Sequence, residues 1–346
     1  MSKLANLQKF LTNDLRVFKA PFFEGLEGFP GTIETPDTQE PAPYRISSLD
    51  IFDAWDICGI VGGRKPSTYS ESPRMWNSYF RGIGRKAVFF AFDLPQEKDF
   101  AKFMDTLPAI PGFLELTVTD PYKHTAFLSL EGLGFQVRLS DQAADTKVVN
   151  HVILDSEKKT LLALNTDGMG MIWAIKEKVD VKGRTVLIIG EGGSAVSIGY
   201  EFVRAGSNLF ITNRTHSRAK DVSELLAGSK STGQQVSWGG FDRLSGLLNQ
   251  ADIVINTVPE GCPLDVKSGK SLKEGALLAE TTYGSKSAIK DLAMTTGLDY
   301  VDGMDMLIGQ FLEAAAKIYP LLGISRETHE EAIRKAPSVS GKRINE

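Results

Sequence analysis

The chain has 346 residues, a formal net charge of -4, 42% hydrophobic residues and 24% charged residues, which is typical of a soluble globular protein with room for two domains. The small negative charge gives no reason to expect nucleic acid or an anionic membrane as a partner, and no apolar run approaches the roughly eighteen residues of a membrane span. Cys58 and Cys262 are far apart, which predicts a reducing cytoplasm rather than a disulfide scaffold. The N-terminus has no long apolar core, so a secretory signal is not expected. No metal site is predicted, because the histidines lack the spacings of metal ligands.

Residues 1–46 are predicted to form an N-terminal arm, with a short helix and then an extended segment rich in proline. The sequence leaves open whether this arm packs on the rest of the chain or serves a partner. From residue 47, apolar runs alternate with helical patterns. Strands are predicted at 55–61, 87–92 and 112–119, helices at 74–82, at 96–104 and after Pro121, and a hairpin at 147–153 and 160–164. The alternation indicates a first α/β domain with a largely parallel sheet at residues 47–164, completed by C-terminal helices within 304–336.

The stretch 185–220 predicts a strand, a glycine turn, a helix and a second strand, which together form a βαβ unit. The turn contains Gly190, Gly192 and Gly193, and the helix is predicted at 194–204. Free backbone N–H groups and the positive end of a helix suit a pyrophosphate. Further strands at 252–256, 276–281 and 300–301 make a Rossmann-type domain at 165–303, with a doubly wound parallel sheet of four or five strands.

The end of the second strand of this unit predicts which dinucleotide is bound. An NAD site usually has Asp or Glu at this corner, where the carboxylate accepts a hydrogen bond from the ribose 2′-hydroxyl. Here the residues are Asn213, Arg214 and Thr215, with Arg218 and Lys220 just beyond. Guanidinium groups suit a 2′-phosphate, so NADP is favoured over NAD. The alternative is a solvated helix start with ordinary surface cations.

Three polar clusters fall at strand ends, where open α/β sheets bind ligands. Ser70 and Ser72 precede a helix and could hold a carboxylate, although an ordinary helix cap explains them equally well. Pro121 is expected in the first helical turn, which would place Lys123 in that turn and near the strand end, but most lysines there are solvated surface charges. The third cluster, 165–167, has the pattern of an N-cap with an acidic residue at a helix start.

Together these clusters and the glycine turn resemble the shikimate dehydrogenase family over roughly residues 55–330. Six family motifs have counterparts in this sequence. In the first half, S-x-S-P corresponds to residues 70–73, N-V-T-x-P-x-K with one change to 117–123, and A-V-N-T in part to 148–151. In the second half, N-T-D-x-x-G corresponds in full to 165–170, N-R-T to 213–215, and D-G-x-x-M-L-V-x-Q to 302–310. Each motif is weak when taken singly. Their common order along the chain makes a chance match improbable.

The resemblance implies an NADP-linked oxidoreductase that interconverts 3-dehydroshikimate and shikimate, with residues 47–164 as the substrate-binding domain. By analogy, Lys123 and Asp167 are the catalytic pair. The positions expected to bind substrate are Ser70, Ser72, Thr119, Asn150, Asn165, Tyr283 and Gln310. The positions expected to hold NADP are Gly190, Gly192, Gly193, Ser194, Asn213, Arg214, Thr215, Arg218, Thr257 and Gly303. A place in aromatic amino acid biosynthesis follows from the same resemblance.

Several residues depart from the family pattern. Tyr69 stands where His is usual, Thr117 replaces Asn, and His151 replaces Thr. Asp120 stands where an apolar residue is usual, and Glu191 stands where Ala is common. These changes suggest a divergent member whose substrate is quinate, an aminoshikimate or another polyhydroxylated ring acid.

Three further alternatives remain open from the sequence. The chain could be a sensor that binds the same ligand without turning it over, although Lys123 and Asp167 are intact. The arm at 1–46 could dock the chain in a larger assembly. A homodimer is a further alternative, because nothing in the sequence sets the oligomeric state.

Overall fold

The computed structural model describes residues 33–34, 45–46, 55–228, 233–258, 260–284 and 287–337. Strands β1 (Ile33–Glu34) and β2 (Arg45–Ile46) form an antiparallel pair. The rest of the predicted N-terminal arm lies outside the described residues. The chain forms two compact units. One contains the chain up to Ser140, Val149–Leu164 and the chain from Ala314 onward, and the other contains Asp141–Val148 and Asn165–Glu313.

The sheet of the first unit has six strands in the order β4-β3-β5-β7-β8-β6. Strands β3 (Asp56–Gly62), β4 (Ala87–Asp93) and β5 (Phe113–Val118) are parallel to one another. Strands β7 (His151–Asp155) and β8 (Thr160–Leu164) form the predicted hairpin, and β7 runs antiparallel to β5. The edge strand β6 (Gln136–Leu139) was not predicted, because three of its four residues are exposed and it has no apolar run.

Helices cover both faces of this sheet because aromatic residues of β4 point alternately to either side. Trp76 stacks on Phe89 with ring centroids 5.8 Å apart, and Phe103 contacts Phe92 at 4.9 Å. Among the described residues, the α-helices that lie wholly within this unit are α1 (Ser72–Gly82), α2 (Glu97–Thr106), α3 (Lys123–Ser129) and α11 (Arg326–Lys335). The predicted α/β layer is therefore confirmed.

The sheet of the second unit has six parallel strands in the order β11-β10-β9-β12-β13-β14, which is the Rossmann strand order. The strands are β9 (Thr185–Ile189), β10 (Asn208–Asn213), β11 (Val236–Gly240), β12 (Ile253–Asn256), β13 (Leu277–Glu280) and β14 (Tyr300–Val301). The prediction of four or five strands was one short of this sheet. The strand without a predicted counterpart is β11, which ends in two glycines and leaves Trp238 exposed, so it lacks a buried apolar run.

Both faces of this second sheet are buried, as the apolar run of β9 predicts. Val186 and Ile188 belong to the hydrophobic core on one face, and Leu187 and Ile189 to the core on the other. The helices around it are α4 (Asp141–Thr146), α5 (Asp167–Lys176), α6 (Gly193–Arg204), α7 (His216–Ala227), α8 (Leu244–Leu248) and α9 (Ala288–Thr296). The long helix α10 (Gly303–Ile318) contributes its residues up to Glu313 to this unit.

The boundaries of the second unit differ from the predicted domain boundaries in two places. Asp141–Val148 joins it, because Gln142 of α4 donates a hydrogen bond to Ser197 of α6. The first turns of α10 join it, because Met306 packs into the core that includes β9. Within the part of the chain that the structure describes, no helix combines the length and the hydrophobicity needed to cross a bilayer.

Candidate active site

Two predicted substrate residues of the first unit, Thr119 and Asn150, lie at the carboxyl end of β5 together with Lys123. Backbone hydrogen bonds fix this arrangement: Val118 N–H donates to Asn150 O at 2.7 Å, and Val149 N–H donates to Lys123 O at 3.0 Å. Thr119 follows β5 directly and donates from its N–H to Val61 O at 2.9 Å. The structure therefore brings Thr119, Lys123 and Asn150 to one end of the sheet, with Asn150 buried and Lys123 half-buried.

The placement of Pro121 in a helical turn was wrong. The Asp120–Pro121 peptide bond is cis, and Tyr122 N–H donates to Thr119 O at 3.1 Å, so Pro121 lies in a tight turn before the helix. Helix α3 begins at Lys123 itself. Lys123 therefore remains in the first helical turn, as predicted, although the proline that was expected to place it there belongs to the preceding turn.

Ser70 and Ser72 stand at the start of α1, which begins at Ser72. Ser72 N–H donates to Ser70 Oγ at 3.3 Å, so the Ser70 hydroxyl already serves a backbone group at the helix start, as the alternative helix-cap interpretation expects. Ser72 is buried, and Ser70 is half-buried. Their predicted role in binding a carboxylate stays a prediction.

In the second unit, Asp167 is the first residue of α5, and it is buried. Its Oδ2 accepts a hydrogen bond from Ser194 Oγ at 2.8 Å, and its N–H donates to Asn165 Oδ1 at 3.0 Å. Ser194 was predicted to bind the cofactor, which stays a prediction, and its hydroxyl donates to the Asp167 carboxylate. The predicted catalytic carboxylate is thus fixed to the first turn of α6.

Two residues that were not predicted as part of the site, Ser197 and Gln142, complete this network. Ser197 Oγ donates to Asn165 Oδ1 at 2.9 Å and accepts from Gly168 N–H at 2.9 Å, and it also accepts from the Gln142 side chain. Ser197 and Gln142 are buried. The sequence signal for Ser197 is a single hydroxyl on an otherwise apolar helical face, because buried polar groups need partners.

The glycine turn lies between β9 and α6, as predicted. Gly190 has φ of 126°, and a Cβ on it would lie 2.1 Å from Thr257 Oγ1, so only glycine fits there. Thr257 in turn donates from Oγ1 to Ile189 O at 2.9 Å. Gly192 precedes the helix, is exposed, and leaves open space around an added Cβ. Backbone amides at the start of α6 therefore face an open surface.

The remaining predicted residues are also placed within the second unit. Asn213 ends β10, and Arg214 and Thr215 are exposed before α7. Gly303 begins α10, and Gln310 lies half-buried on the same helix. Tyr283 lines a cavity of about 240 Å³ whose other lining residues are polar or small; they are Glu280, Thr282, Gly284, Ser287, Lys290, Tyr300 and Asp302.

Comparison with known proteins bears on both units. Residues 62–152 match the family model described as the shikimate dehydrogenase substrate binding domain, and residues 173–268 match the model described as shikimate / quinate 5-dehydrogenase. The shikimate dehydrogenase (NADP(+)) of Pyrococcus abyssi is 30% identical over 285 residues, which cover 81% of this chain and 99% of that protein. The enzyme of the same name from Rubrobacter xylanophilus is 32% identical over 266 residues, 75% of this chain and 88% of that protein.

The chain belongs to the shikimate dehydrogenase family. The resemblance predicted from the motifs is thereby confirmed, and so is the two-domain α/β fold. A crystal structure of the Thermus thermophilus enzyme in complex with NADP(H) and shikimate has a TM-score of 0.63 at 21% identity, over 81% of this chain and 99% of that one. The 5-ketofructose reductase of Gluconobacter has a TM-score of 0.62 at 21% identity, over 82% and 98%. These two structures share the fold with the present member of the shikimate dehydrogenase family.

Two departures from the shikimate dehydrogenase pattern lie beside the predicted substrate residues. Tyr69 is hydrogen-bonded to Thr119, and burial raises the pKa of the Tyr69 phenol. Asp120 forms an ion pair with Arg64 at 2.8 Å, and both side chains are about half exposed. Each of the two departures therefore has a partner. The ion pair with Arg64 accounts for an acidic residue at position 120, which is usually apolar in the family.

The other two departures in the first unit meet across the sheet. Thr117 of β5 and His151 of β7 are directly opposite each other in the register. Both are joined to Glu115: His151 Nδ1 lies 2.7 Å from Glu115 Oε1, and Thr117 Oγ1 donates to the same oxygen at 2.8 Å. We call Glu115, Thr117 and His151 the buried polar cluster.

Glu115 was not predicted as part of the site, because a single glutamate in an apolar strand usually marks a solvated face. Here the side chain is completely buried, and burial raises the pKa of the Glu115 carboxyl. A buried carboxyl of this kind needs partners from its neighbours. Thr117 and His151 both meet Oε1 of Glu115, while Oε2 has no hydrogen-bond partner among the described residues.

The fifth departure, Glu191, lies in the glycine turn of the second unit. Its Oε1 is 2.5 Å from Nη1 of Arg218, the residue predicted to hold a 2′-phosphate. The carboxylate that looked out of place beside a pyrophosphate is therefore paired with a cation from the first turn of α7.

Proposed function

We propose that this protein is an NADP-dependent oxidoreductase that interconverts 3-dehydroshikimate and shikimate by hydride transfer. The observation that carries the proposal is the 30% identity, over 81% of the chain, to an enzyme named shikimate dehydrogenase (NADP(+)). A cytoplasmic location, a place in aromatic amino acid biosynthesis and the substrate-binding role of residues 47–164 belong to the same proposal.

The second unit has residues that fit a dinucleotide phosphate. The turn leaves open space at Gly192, and no carboxylate follows β10. Arg214 is exposed and forms no ion pair with any described residue. When bound, the cofactor would supply the hydride as NADPH in the direction of reduction and accept it as NADP+ in the direction of oxidation, and the residues of this turn would hold its pyrophosphate and 2′-phosphate.

The proton steps are assigned to Lys123 and Asp167. In the direction of reduction, the Lys123 ammonium gives a proton to the oxygen that becomes a hydroxyl as hydride reaches the ketone carbon. In oxidation, the Lys123 amine takes the proton back. Asp167 is proposed to accept a hydrogen bond from a ring hydroxyl, and its own orientation is fixed by Ser194.

The ring substituents are proposed to be read by Thr119, Asn150, Asn165 and Gln310, while Ser70, Ser72 and Tyr283 hold the carboxylate. A site of this type discriminates strongly against analogues that lack a hydroxyl, because its buried polar groups would lose their partners. Quinate is the second candidate substrate. The observation in its favour is the hydrogen bond between Tyr69 and Thr119, because this bond changes the surroundings of Thr119, which is proposed to bind ring hydroxyls.

The test is reduction of NADP followed by absorbance, with shikimate and quinate in parallel and NAD in place of NADP. We expect NADP-linked turnover of shikimate. Turnover of quinate but not shikimate would select the second candidate. Binding of either acid without turnover would support the sensor that the sequence left open. The alternatives of a homodimer and of docking through residues 1–46 stay predictions, which light scattering of the full chain and of a chain without those residues would test.

The glycine turn gives a matched pair of variants. We expect Gly190→Ala to lower the free energy of unfolding by about 2–4 kcal/mol, because the new Cβ would collide with Thr257 at a backbone angle that suits only glycine. Gly192→Ala should leave stability unchanged, since nothing lies within 4 Å of its Cβ. It should instead weaken NADP binding by about tenfold, because the methyl group stands where the pyrophosphate approaches the backbone.

Urea unfolding and calorimetric titration with 2′,5′-ADP measure the two effects separately. Equal destabilisation by both substitutions would contradict the assigned geometry of the turn. Unchanged nucleotide affinity in Gly192→Ala would place the pyrophosphate elsewhere.

A further inference from the structure

The ion pair between Glu191 and Arg218 joins the glycine turn to the first turn of α7. Arg218 is two-thirds exposed, whereas the Glu191 side chain is 24% exposed. The hydrogen bond and the charge of Glu191 raise the pKa of the Arg218 guanidinium. Within the described residues, Arg218 makes no other hydrogen bond. The guanidinium that faces the predicted 2′-phosphate position is therefore occupied by a carboxylate of the same unit.

The second carboxylate oxygen of Glu191 has no such partner. Glu191 Oε2 is buried and accepts no hydrogen bond from any described residue. A carboxylate oxygen buried without a donor is unfavourable. In the cofactor turn, Oε1 of Glu191 is therefore paired with Arg218, while Oε2 can still accept a hydrogen bond.

The other cations of this corner leave few positive charges for a phosphate. Lys220 lies 3.5 Å from Glu224, and His216 lies 3.2 Å from Asp242. Arg214 is the cation of this corner for which no ion pair with a described residue is found. The state of Arg218 therefore decides whether a 2′-phosphate meets one guanidinium or two.

We propose that Glu191 is a specificity-determining residue that lowers the preference of this chain for NADP over NAD. The inference rests on the proposed function and concerns the same cofactor site. A 2′-phosphate carries a charge of about −1.5 to −2 near neutral pH, so it must share Arg218 with Glu191 or displace the carboxylate, against the repulsion between two anions.

The ribose of NAD has a neutral hydroxyl in place of the 2′-phosphate, so the Glu191 carboxylate does not repel it. Its 2′-hydroxyl is a hydrogen-bond donor, and a carboxylate beside the glycine turn accepts such a donor, as the acidic residue after the second strand does in NAD sites. A carboxylate from the turn thus penalises the phosphate and tolerates the hydroxyl. The basic corner of residues 213–218 selects NADP, and Glu191 reduces that selection.

If Glu191 had the opposite role, its replacement would change the affinity for the phosphate in the opposite direction. If the carboxylate served to hold Arg218 in the orientation that a phosphate needs, its removal would weaken binding of the phosphate. The two roles are therefore separated by the direction of a single change in affinity.

The experiment is calorimetric titration of the full chain with 2′,5′-ADP and with 5′-AMP, which differ in the 2′-phosphate. We expect Glu191→Gln and Glu191→Ala to bind 2′,5′-ADP about five- to tenfold more tightly than the unmodified protein, which is the scale of one charge at a partly exposed site. Affinity for 5′-AMP should change by less than about twofold. The ratio of kcat/KM for NADP to that for NAD should rise by the same factor.

A matched control is Glu224→Gln, which removes one negative charge from α7 without touching Arg218. It should leave the affinity ratio of the two nucleotides nearly unchanged. Arg218→Ala completes the set, since its loss of 2′,5′-ADP affinity should be greater in the Glu191→Gln background than in the unmodified protein.

Each other outcome overturns the inference. Weaker binding of 2′,5′-ADP by Glu191→Gln would assign Glu191 to orienting Arg218, and an unchanged ratio would leave it no part in selectivity; the proposed cofactor site would survive both. Failure of the unmodified protein to bind either nucleotide would overturn the inference together with the proposed site.

Discussion

Replacing Lys123 with alanine is expected to lower kcat by about 10²- to 10⁴-fold, the usual contribution of a positioned proton donor. The proton for the new hydroxyl would then have to come from water. Binding of 2′,5′-ADP should not change, because the glycine turn and the basic corner belong to the other compact unit. The measurement is steady-state reduction of NADP with shikimate, together with calorimetric titration of the nucleotide.

Because of the position of Lys123 in the fold, a loss of activity in Lys123→Ala would not be explained by unfolding. Lys123 is the first residue of α3, where a positive charge is unfavourable to the helix dipole. Its removal should therefore leave thermal stability unchanged or slightly raised. Lys102→Ala, at an exposed position of α2 in the same unit, is the control and should retain full activity. A Lys123→Ala protein with normal kcat would refute the role assigned to this ammonium.

The second large effect is expected at the buried polar cluster. His151→Ala should lower the free energy of unfolding by about 3–5 kcal/mol, because it leaves Glu115 buried without its principal partner. Urea unfolding measures the change. Lys158→Ala is the control, since Lys158 pairs with Asp155 on the surface of the β7–β8 hairpin and is 74% exposed, so no measurable change is expected.

The coupling of this cluster can be tested further. Thr117 also donates to Glu115, so Thr117→Val should lower the free energy of unfolding by less than His151→Ala does. In the double variant, the loss should be smaller than the sum of the two single losses. If His151→Ala proved as mild as the surface control, Glu115 would have to be satisfied by other groups, and the pairing of the two departures would lose its explanation.

Much of the second unit could be predicted from local sequence. The apolar run of β9, the glycines after it and the helical pattern of α6 specify a βαβ unit, because each local preference agrees with the fold. Strands β6 and β11 escaped prediction for the opposite reason. They lie at sheet edges, expose much of their surface, and owe their conformation to pairing with β8 and β10.

The candidate site was predictable in its residue types but not in its partners. Motif order identified Lys123 and Asp167, yet no periodicity indicates that Ser194 would bond to Asp167 or that Glu191 would bond to Arg218. Such pairs join residues about 27 positions apart in the chain. Only the three-dimensional arrangement brings them together, and the same holds for Glu115 and His151.

The bond between Ser194 and Asp167 also bears on how such a protein can change during evolution. Asp167, Ser194 and the network behind them are all contained in the second unit, whereas the departures at positions 69, 117, 120 and 151 all fall in the first. The carboxylate is aligned with the dinucleotide helix by residues that fold together. Ring selectivity can therefore change through residues of the first unit while the alignment of Asp167 is retained within the second, whose own departure, Glu191, lies in the cofactor turn.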